Sequence, residues 1–573
     1  MIRRAVELMA TIVERQFDPY VAQALAAQGV LPILARILAA RGIQSTDALD
    51  PSLANIIPPD QLTNASKMAV MLADAITANK SLLVIGDYDC DGATATAVAM
   101  RALKSMGARV DYLVPNRFEY GYGLTPEIVD LAFKRQPDVL ITVDNGIASV
   151  EGVARANALG LQVLVTDHHL PGDQTPDAAC IVNPNQRGCA FSSKNLAGVG
   201  VIFYVMLALR AELRARGVFE NKPEPNLTEL LDIVALGTVA DLVRLDDNNR
   251  ILVEQGLRRI RAGKACPAIR ALLKIAGRDE RKVTAQELGF SVGPRLNAAG
   301  RLDDMTLGIA CLVSDDAAEV EVLAQRLHTM NLERRAIEAD MQEAANIALD
   351  QIDVSKRFSL SIFEPEWHQG VIGILASRVK EQYHRPVVAF ASAGDGTLKG
   401  SGRSIQGLHL RDALDLVAKR HPGLILKFGG HAMAAGLTID EDGLDTFEVA
   451  FEGVAQDLLS PADLDNVIEV DGALDMQALD WGLALALEKQ VWGQGFPAPM
   501  FTGNFEVKQQ KIVGERHLKL SLQGLQSAGM VDAIYFGQQA FLPERVQLVY
   551  ALQTNEFNGR QSIQLNVRHW QLL

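Results

Sequence analysis

Hydrophobic positions along the chain change their period from region to region, and each period predicts a different element. Ser81-Leu82-Leu83-Val84-Ile85 is an apolar run without charge, which predicts a strand buried on both faces, as in a parallel sheet. Arg109–Pro115, Asp138–Val143, Leu161–Thr166 and Ala179–Val182 are further strand candidates, separated by helical runs such as Thr125–Lys134 and Ser149–Leu159. That alternation from Lys67 to Val243 is a βαβ series and implies a parallel sheet.

Other stretches keep other periods. Arg3 to Met68 has helical character, with Gly29 and Pro32 interrupting the apolar spacing of Val21–Leu38. Asp50-Pro51 and Pro58-Pro59-Asp60 punctuate a connector there, and no chemistry is evident. From Asp315 to Ile352, apolar residues at Val320, Leu323, Leu327, Met330, Ile337, Met341, Ala344 and Ala348 form one stripe. It predicts a long helix of about 55 Å, either a spacer between two lobes or a bundle helix. Phe358 to Ala455 is a second α/β unit, followed by an acidic linker, Asp463–Asp471. Phe501–Val507, Leu518–Leu522, Ala533–Phe536, Val546–Leu552 and Ile563–Val567 then alternate like short strands between turn signals. That pattern suits an OB-type barrel.

Composition narrows the class. A chain of 573 residues needs more than one core, and 48% hydrophobic with 22% charged residues is ordinary globular usage rather than disorder or a fibre. No apolar run is long enough to span a bilayer, and Glu14 and Arg15 arrive before any signal-like core develops. Five cysteines without a C-x-x-C pair argue against a disulfide framework and predict a reduced, cytoplasmic protein. The net charge of −14 counts against a simple basic nucleic-acid binder. It does not exclude one, because phosphate binding depends on the field inside a groove.

The chemistry gathers where apolar segments end. Ser81–Ile85 runs into Asp87-Tyr88-Asp89-Cys90-Asp91-Gly92 and then the helix-forming run Ala93–Ala99. Open α/β sheets carry their sites at the carboxyl ends of strands. Three crowded carboxylates repel one another and call for positive charge, which a divalent cation with oxygen ligands supplies. The alternative is an acidic turn capping the next helix. Acids recur, however: Asp144-Asn145-Gly146 closes one strand, Asp167-His168-His169 closes another, and Asp241 follows the apolar segment Ile233–Ala240. Each alone is compatible with turn chemistry. Together they converge on one sheet edge if their strands are neighbours, and carboxylates in excess over histidine suit Mn²⁺ or Mg²⁺ better than Zn²⁺. In the second α/β unit, Gly370-Val371-Ile372-Gly373-Ile374, Gly400-Ser401-Gly402-Arg403-Ser404 and Phe428–Gly436 join Gly-rich turns to Arg and His. Such turns let backbone N–H groups reach an anion.

The stretches Asp87–Gly92, Val143–Gly146, Asp167–His169 and Gly237-Thr238-Val239-Ala240-Asp241 resemble the motifs of the DHH phosphoesterase superfamily. Pro115–Gly123, Gly293–Arg301 and Gly400–Ser404 narrow the resemblance to its branch of single-strand-specific 5′→3′ DNA exonucleases, over nearly the full length. The resemblance implies an α/β fold of two α/β lobes, DHH and DHHA1, joined by a long helix, plus a C-terminal all-β OB-type barrel. The expected domains are an N-terminal helical extension (1–66), the DHH catalytic domain (67–250), a helical region with the connecting helix (251–354), the DHHA1 domain (355–458) and the barrel (466–573).

It further implies two divalent ions, Mn²⁺ or Mg²⁺. Asp91, Asp144, His168 and Asp241 would hold one; Asp89 and a bridging Asp144 would hold the other, with Asp87 close by. Asp87 and His169 are the expected catalytic residues, His169 donating to a phosphate oxygen or supporting the ligands. The expected substrate contacts are Arg117, Tyr122, Arg295, Asn297, Arg301, Ser401, Arg403, Ser404 and His431, with Arg117, Ser401 and Arg403 as candidates for a 5′-phosphate pocket. The pyrophosphatase branch has a histidine at the position of Ile85, so the second ion is expected to bind weakly without substrate. Cys90 stands where the family more often has a small residue and is expected to pack rather than ligate. The implied activity is release of nucleoside 5′-monophosphates from single-stranded DNA in repair and recombination. The expected partners are single-stranded DNA, with single-strand-binding protein or a helicase as candidates that no residue identifies, and no membrane. The barrel would bind single strands, with Phe501, Phe505, Tyr535 and Phe557 as exposed-strand candidates, each of which reads more readily as core than as stacking platform. The rival readings are a DHH/DHHA1 phosphodiesterase acting on short oligonucleotides or cyclic dinucleotides, and a non-catalytic DNA-binding scaffold of the same fold.

Overall fold

A computed structural model describes residues 10–116, 120, 123–350, 352–514, 516–525, 529–557 and 559–573, with Phe557 described by its backbone alone. The chain divides into two compact units. One comprises Arg15–Asn331 and Asp471–Leu573, the other Leu332–Val470 and the residues up to Glu14. The first strand, β1 (Thr11–Glu14), belongs to the second unit, pairing in parallel with Val467–Val470 from Thr11↔Val467 to Glu14↔Val470. The helical expectation for the N-terminal stretch therefore fails at β1, and the acidic linker contains β1's partner. Each strand is four residues long, too short to carry a period of its own, and its partner lies at the far end of the sequence. The following stretch is helical as expected: Pro19–Ala27 and Pro32–Ala39 are separated at Gly29, whose φ is 94°.

In the first unit, β2 (Ser81–Ile85), β3 (Arg109–Leu113), β4 (Val139–Val143), β5 (Gln162–Thr166) and β6 (Cys180–Val182) form a parallel sheet of order β3-β2-β4-β5-β6. Leu82 and Val84 join one hydrophobic cluster, Leu83 and Ile85 the other, so alternate residues of β2 face opposite sides. That explains the uncharged run. The first cluster includes the helices α1 (Cys90–Ser105), α2 (Gly198–Ala215) and α3 (Leu231–Ala240). Because β3 and β4 flank β2 on opposite sides, the connections leave in opposite directions between β2 and β4. The crevice at their carboxyl ends is the switch point where such sheets bind ligands. A helix, α4 (Gly293–Leu302), follows a π-helical turn, Leu288–Val292. The striped segment is one helix, Ala317–Leu349, and the division into two units falls within it.

The second unit carries β7 (Leu360–Phe363), β8 (Val387–Ser392), β9 (Thr397–Arg403), β10 (Lys427–Gly430) and β11 (Ala434–Asp440) in the order β10-β11-β9-β8-β7. Only β7 and β8 run parallel. Phe390, Phe447 and Phe451 fill its core. Its last strand, β12 (Val467–Val470), is β1's partner.

The C-terminal strands β13 (Phe501–Val513), β14 (His517–Gly524), β15 (Met530–Phe536), β16 (Arg545–Phe557) and β17 (Arg560–Leu572) close into a barrel of order β13-β14-β15-β17-β16. It shares one hydrophobic cluster with the metal-side helices. Polar anchors reinforce that seam. Arg41 pairs with Asp471 at 2.7 Å, both nearly fully buried, and lies over the Trp492 ring. Arg250 lies 4.3 Å from the Phe496 ring centroid. Phe501 and Phe505 are buried against Tyr550 inside the barrel, the core role expected of them ahead of strand stacking. Phe536 and Phe541, 53% and 61% exposed, are the aromatics that the barrel presents. Among the described residues no helix is long and apolar enough to cross a membrane.

Candidate metal centre

The loop after β2 is tightly folded. Asp89 caps α1, its Oδ1 accepting the Gly92 N–H at 3.0 Å. A side chain at Gly92 would put its Cβ 2.6 Å from the Asp87 carbonyl oxygen, so the turn needs glycine there. Asp91, 1% exposed, accepts two N–H groups from the start of α2: Gly198 at 2.5 Å and Val199 at 2.9 Å. A helix N-terminus is a favourable seat for a carboxylate. A Cβ on Gly198 would lie 2.5 Å from the Asp144 side chain, so glycine here lets the two acids approach.

Asp144 follows β4 directly with a left-handed φ of 63°, a conformation that Asp tolerates better than most residues. Asn145 donates to the carbonyls of Ile85 and Val143, tying the ends of β2 and β4 together. His168 follows β5, and its Nε2 lies 3.1 Å from Asp144 Oδ1, 3.5 Å from Asp241 Oδ2 and 3.9 Å from Asp91 Oδ2. Asp241 is not at a strand end: it caps the C-terminus of α3, its N–H donating to the Gly237 carbonyl. Three sets of possible ligand atoms lie within 4.8 Å of one another: Asp91, His168 and Asp241; Asp87, Asp89 and Asp144; and Asp144, His168 and His169. Asp144 and His168 each belong to two of the sets.

Asp167, the first residue of the Asp-His-His run, has a different task. It is 1% exposed and accepts N–H groups from Ile147, His168 and His169. It also bonds His169 Nδ1 at 2.8 Å, which leaves Nε2 to carry any chemistry of that ring. Asn183 and Asn185 donate to the carbonyls of His169 and His168 and so hold the loop.

The electrostatics follow from crowding. Burial, then the Asp89 charge, pushes the Asp91 carboxyl up to about 7 against its two backbone donors. Burial and neighbouring acids drive Asp144 and Asp241 well above the usual carboxylate range. Burial alone would lower His169, but the Asp167 hydrogen bond and the charges of Asp167, Asp87 and Asp89 together outweigh it and raise the imidazole to about 9. Such a cluster is unfavourable when ionised without a cation. Its donor set, carboxylate oxygens with imidazole, fits Mn²⁺ or Mg²⁺. Cys90 is buried with its thiol pushed up by burial, and belongs to none of the ligand sets.

The expected substrate residues are less uniform. Arg117 and Tyr122 lie outside the described residues. Asn297 faces the metal loop, its Oδ1 accepting the Cys90 N–H at 2.8 Å. Arg295 on the same helix bonds the Ser291 carbonyl and His328, and Arg301 is half-buried. In the other unit, Arg403 is held by Ser401 Oγ and the Gly402 carbonyl, with no carboxylate within ion-pair distance among the described residues. A Cβ on Gly373, in the first turn of α5 (Ile372–Tyr383), would meet Ser401 Oγ at 2.9 Å and Arg403 Nη2 at 3.0 Å. A guanidinium, a hydroxyl and a helix start thus share one spot. His431 is exposed at the turn between β10 and β11. Ser404 turns inward, 1% exposed, and its hydroxyl donates to the Leu408 carbonyl.

Some contributors carry no legible signal in the sequence, Gly198 among them. Leu242, 66% exposed beside Asp241 with φ 60°, is another. Phe290, 78% exposed, lies in the π-helical turn whose Gly289 approaches Val239.

Comparison with known proteins agrees with this architecture. The chain matches the DHH family N-terminal domain over residues 81–238, the DHHA1 domain over 355–457 and the RecJ OB domain over 470–569. It is 50% identical to the single-stranded-DNA-specific exonuclease RecJ of Escherichia coli over 93% of this chain and 95% of that one. The RecJ of Thermus thermophilus is 33% identical over 91% of this chain and 72% of that one. The crystal structure of T. thermophilus RecJ in complex with Mn²⁺ superposes with a TM-score of 0.82 at 30% identity, covering 98% of this chain and 79% of that one. The Mg²⁺ complex gives 0.76 at 28% identity, covering 98% and 78%. With every motif acid gathered at one sheet edge, and with similarity that runs from the sheet through to the barrel, this chain belongs to the RecJ family.

Proposed function

We propose that this chain is a metal-dependent exonuclease that degrades single-stranded DNA from the 5′ end and releases nucleoside 5′-monophosphates. The observation that carries the reading is the convergence of Asp87, Asp89, Asp91, Asp144, His168 and Asp241 into ligand sets sharing Asp144 and His168. A scaffold that only binds DNA has no use for so costly a cluster of buried acids. Asp91, Asp144, His168 and Asp241 would hold one divalent ion, and Asp87, Asp89 and Asp144 a second. Mn²⁺ or Mg²⁺ bound there would supply Lewis-acid activation of water and neutralise charge on the scissile phosphate.

The protein's own groups do the rest. Asp167 fixes the His169 ring and keeps it protonated at neutral pH, so that Nε2–H donates to a phosphate oxygen. Asp91 is aligned by the α2 backbone. The Ser401–Arg403 spot, with the start of α5, receives a terminal 5′-phosphate; a half-buried Arg with no carboxylate partner among the described residues is poised for an anion. Phe290 and Leu242 offer apolar surface to bases near Asp241, and the barrel adds affinity for single strands. The length and the barrel argue for a polymer substrate over a cyclic dinucleotide. We place the protein in the cytoplasm, acting in repair and recombination, with single-strand-binding protein or a helicase as partners to be sought by affinity capture.

The test is digestion of single-stranded DNA labelled at either end, with Mn²⁺ or Mg²⁺ and a duplex control. Early release of labelled mononucleotide from the 5′ label alone is expected. Internal cuts, loss from the 3′ label first, or equal action on duplex would overturn the reading.

A further inference from the structure

The conspicuous stretch Gly293–Arg301 is, by resemblance, a substrate-contact motif, yet the face of α4 that carries Asn297 and Gly300 is turned to the metal-binding loop. The two residues are three apart and so lie on one face of the helix. Asn297 Oδ1 accepts the N–H of Cys90, at 2.8 Å, across 207 residues of sequence. Cys90 lies between Asp89 and Asp91, and its N–H is one of the first-turn donors of α1 that the helix itself leaves without a partner. At Gly300 the approach is closer still. A Cβ there would lie 1.8 Å from the Tyr88 carbonyl oxygen and 3.0 Å from its carbon, so any side chain would push the loop away. Tyr88 lies between Asp87 and Asp89. One helix face therefore grips the Asp87–Asp91 loop at both residues that separate its acids.

We infer that Asn297 and Gly300 are positioning residues for the metal centre: α4 braces the Asp87–Asp91 loop so that its carboxylates are set before any ion arrives. This rests on the metal-centre reading above. Like charges at alternate positions favour a loop that splays open, and the bond to Cys90 with the close seat under Tyr88 opposes that. Two further contacts of the loop, Asp89 to Gly92 and Asp87 to Tyr88, are local and would move with it, while the α2 backbone holds the Asp91 carboxylate at the loop's end. Asn297 accepts from the middle of the loop, between Asp89 and Asp91, and ties that part to a separate helix. Groups that orient ligands in this way typically change metal affinity about 10–100-fold when removed.

The test is calorimetric titration of the full chain with Mn²⁺ in the absence of DNA. Asn297→Leu, which keeps the volume and removes the acceptor, should weaken binding about 10–100-fold. Asn297→Asp, which keeps an acceptor for the Cys90 N–H, should stay near wild type. Gly300→Ala should resemble Asn297→Leu. With Mn²⁺ raised to saturation, Asn297→Leu should recover a near-normal KM for single-stranded DNA, since the side chain serves the loop and not the strand. In wild-type protein without metal, hydrogen exchange should find the Cys90 amide protected, a measurement that needs no variant to fold. Unchanged Mn²⁺ affinity in Asn297→Leu, with a raised KM at saturating metal, would make Asn297 a substrate contact and overturn the bracing role. A Cys90 amide that exchanges freely would overturn it as well. Wild-type protein that takes up no Mn²⁺ would refute the metal reading itself, and the brace with it.

Discussion

Substituting Gly237 with alanine sets local propensity against the metal centre. Gly237 lies inside α3, in the Gly-Thr-Val-Ala-Asp stretch, and alanine in a helix interior is worth about 1 kcal/mol over glycine. The sequence alone therefore predicts a stabilising change. The structure predicts the reverse. A Cβ at Gly237 would lie 2.1 Å from Thr94 Oγ1, 2.8 Å from Val199 Cγ1 and 3.1 Å from Asp91 Oδ1. Thr94 is fully buried and its hydroxyl donates to the Asp91 carbonyl, so it has little room to rotate away. Overpacking of this kind costs about 1–3 kcal/mol, which leaves a net loss of roughly 0–2 kcal/mol once the helix gain is subtracted. The larger effect falls on the ligands. The new methyl crowds Asp91, whose Oδ1 is also held by the Val199 N–H at 2.9 Å, and it sits on the helix that ends at Asp241. If even 1.4 kcal/mol of the strain is relieved by moving these acids apart, Mn²⁺ affinity falls about tenfold. Calorimetric titration and thermal melts with and without Mn²⁺ measure both quantities. A Gly237→Ala protein that melts higher than wild type and binds Mn²⁺ equally well would refute the reasoning.

Asp144→Ala should abolish cleavage while the protein stays folded, because the residue lies in a loop and belongs to two ligand sets; substantial turnover in saturating Mn²⁺ would count against the two-ion assignment. Ile85, fully buried at the end of β2, offers no ligand, so Mn²⁺ titration without DNA should resolve one tighter and one markedly weaker site, and two equal sites would contradict this. For pH, Asp91 is raised from 3.8 to about 7, so the folded protein holds a proton that the unfolded chain releases. Metal-free stability from this group is therefore fully present below the lower value and lost as pH rises through the upper one, while Mn²⁺ affinity climbs over the same window; melts and titrations from pH 5 to 8 should show opposite slopes. Arg403→Ala should slow use of 5′-phosphorylated ends about tenfold to a hundredfold, the value of one charge-assisted contact of roughly 1.5–3 kcal/mol, and leave Mn²⁺ binding unchanged. Equal slowing on 5′-hydroxyl ends would move Arg403 from the terminus to the strand in general.

The parallel sheet was legible because burial on both faces leaves a signature that needs no partner: β2, β4 and β5 are uncharged and largely apolar, interrupted only by Ser, Thr and Gln. The barrel was legible in its strands but not in its faces. Phe501 and Phe505 are aromatic residues suited to core or to an exposed stacking face, and closure of the barrel decides that they point inward. β1 and β12 were not legible at all. A four-residue strand carries too few positions for a period, and what makes it a strand is a partner at the opposite end of the chain.

The metal centre shows the same division more sharply. The aspartates that close β2 and β4, and the histidines after β5, stand out because a polar cluster abruptly ends an apolar run. Asp241 does not, since it ends a helix and its place beside His168 is created by tertiary packing. The residues that make the cluster tolerable are the least visible. Gly198 donates to Asp91 across 107 residues, and Asn297 reaches Cys90 across 207. Each of these breaks a local preference or satisfies a distant one: a glycine inside α3, a left-handed Asp144, a helix start aimed at a buried acid. Sequences depart from local consistency where function demands it. Acids that repel one another are held together here by backbone donors and close-packed glycines, and those groups acquire their purpose only once the chain has folded around them.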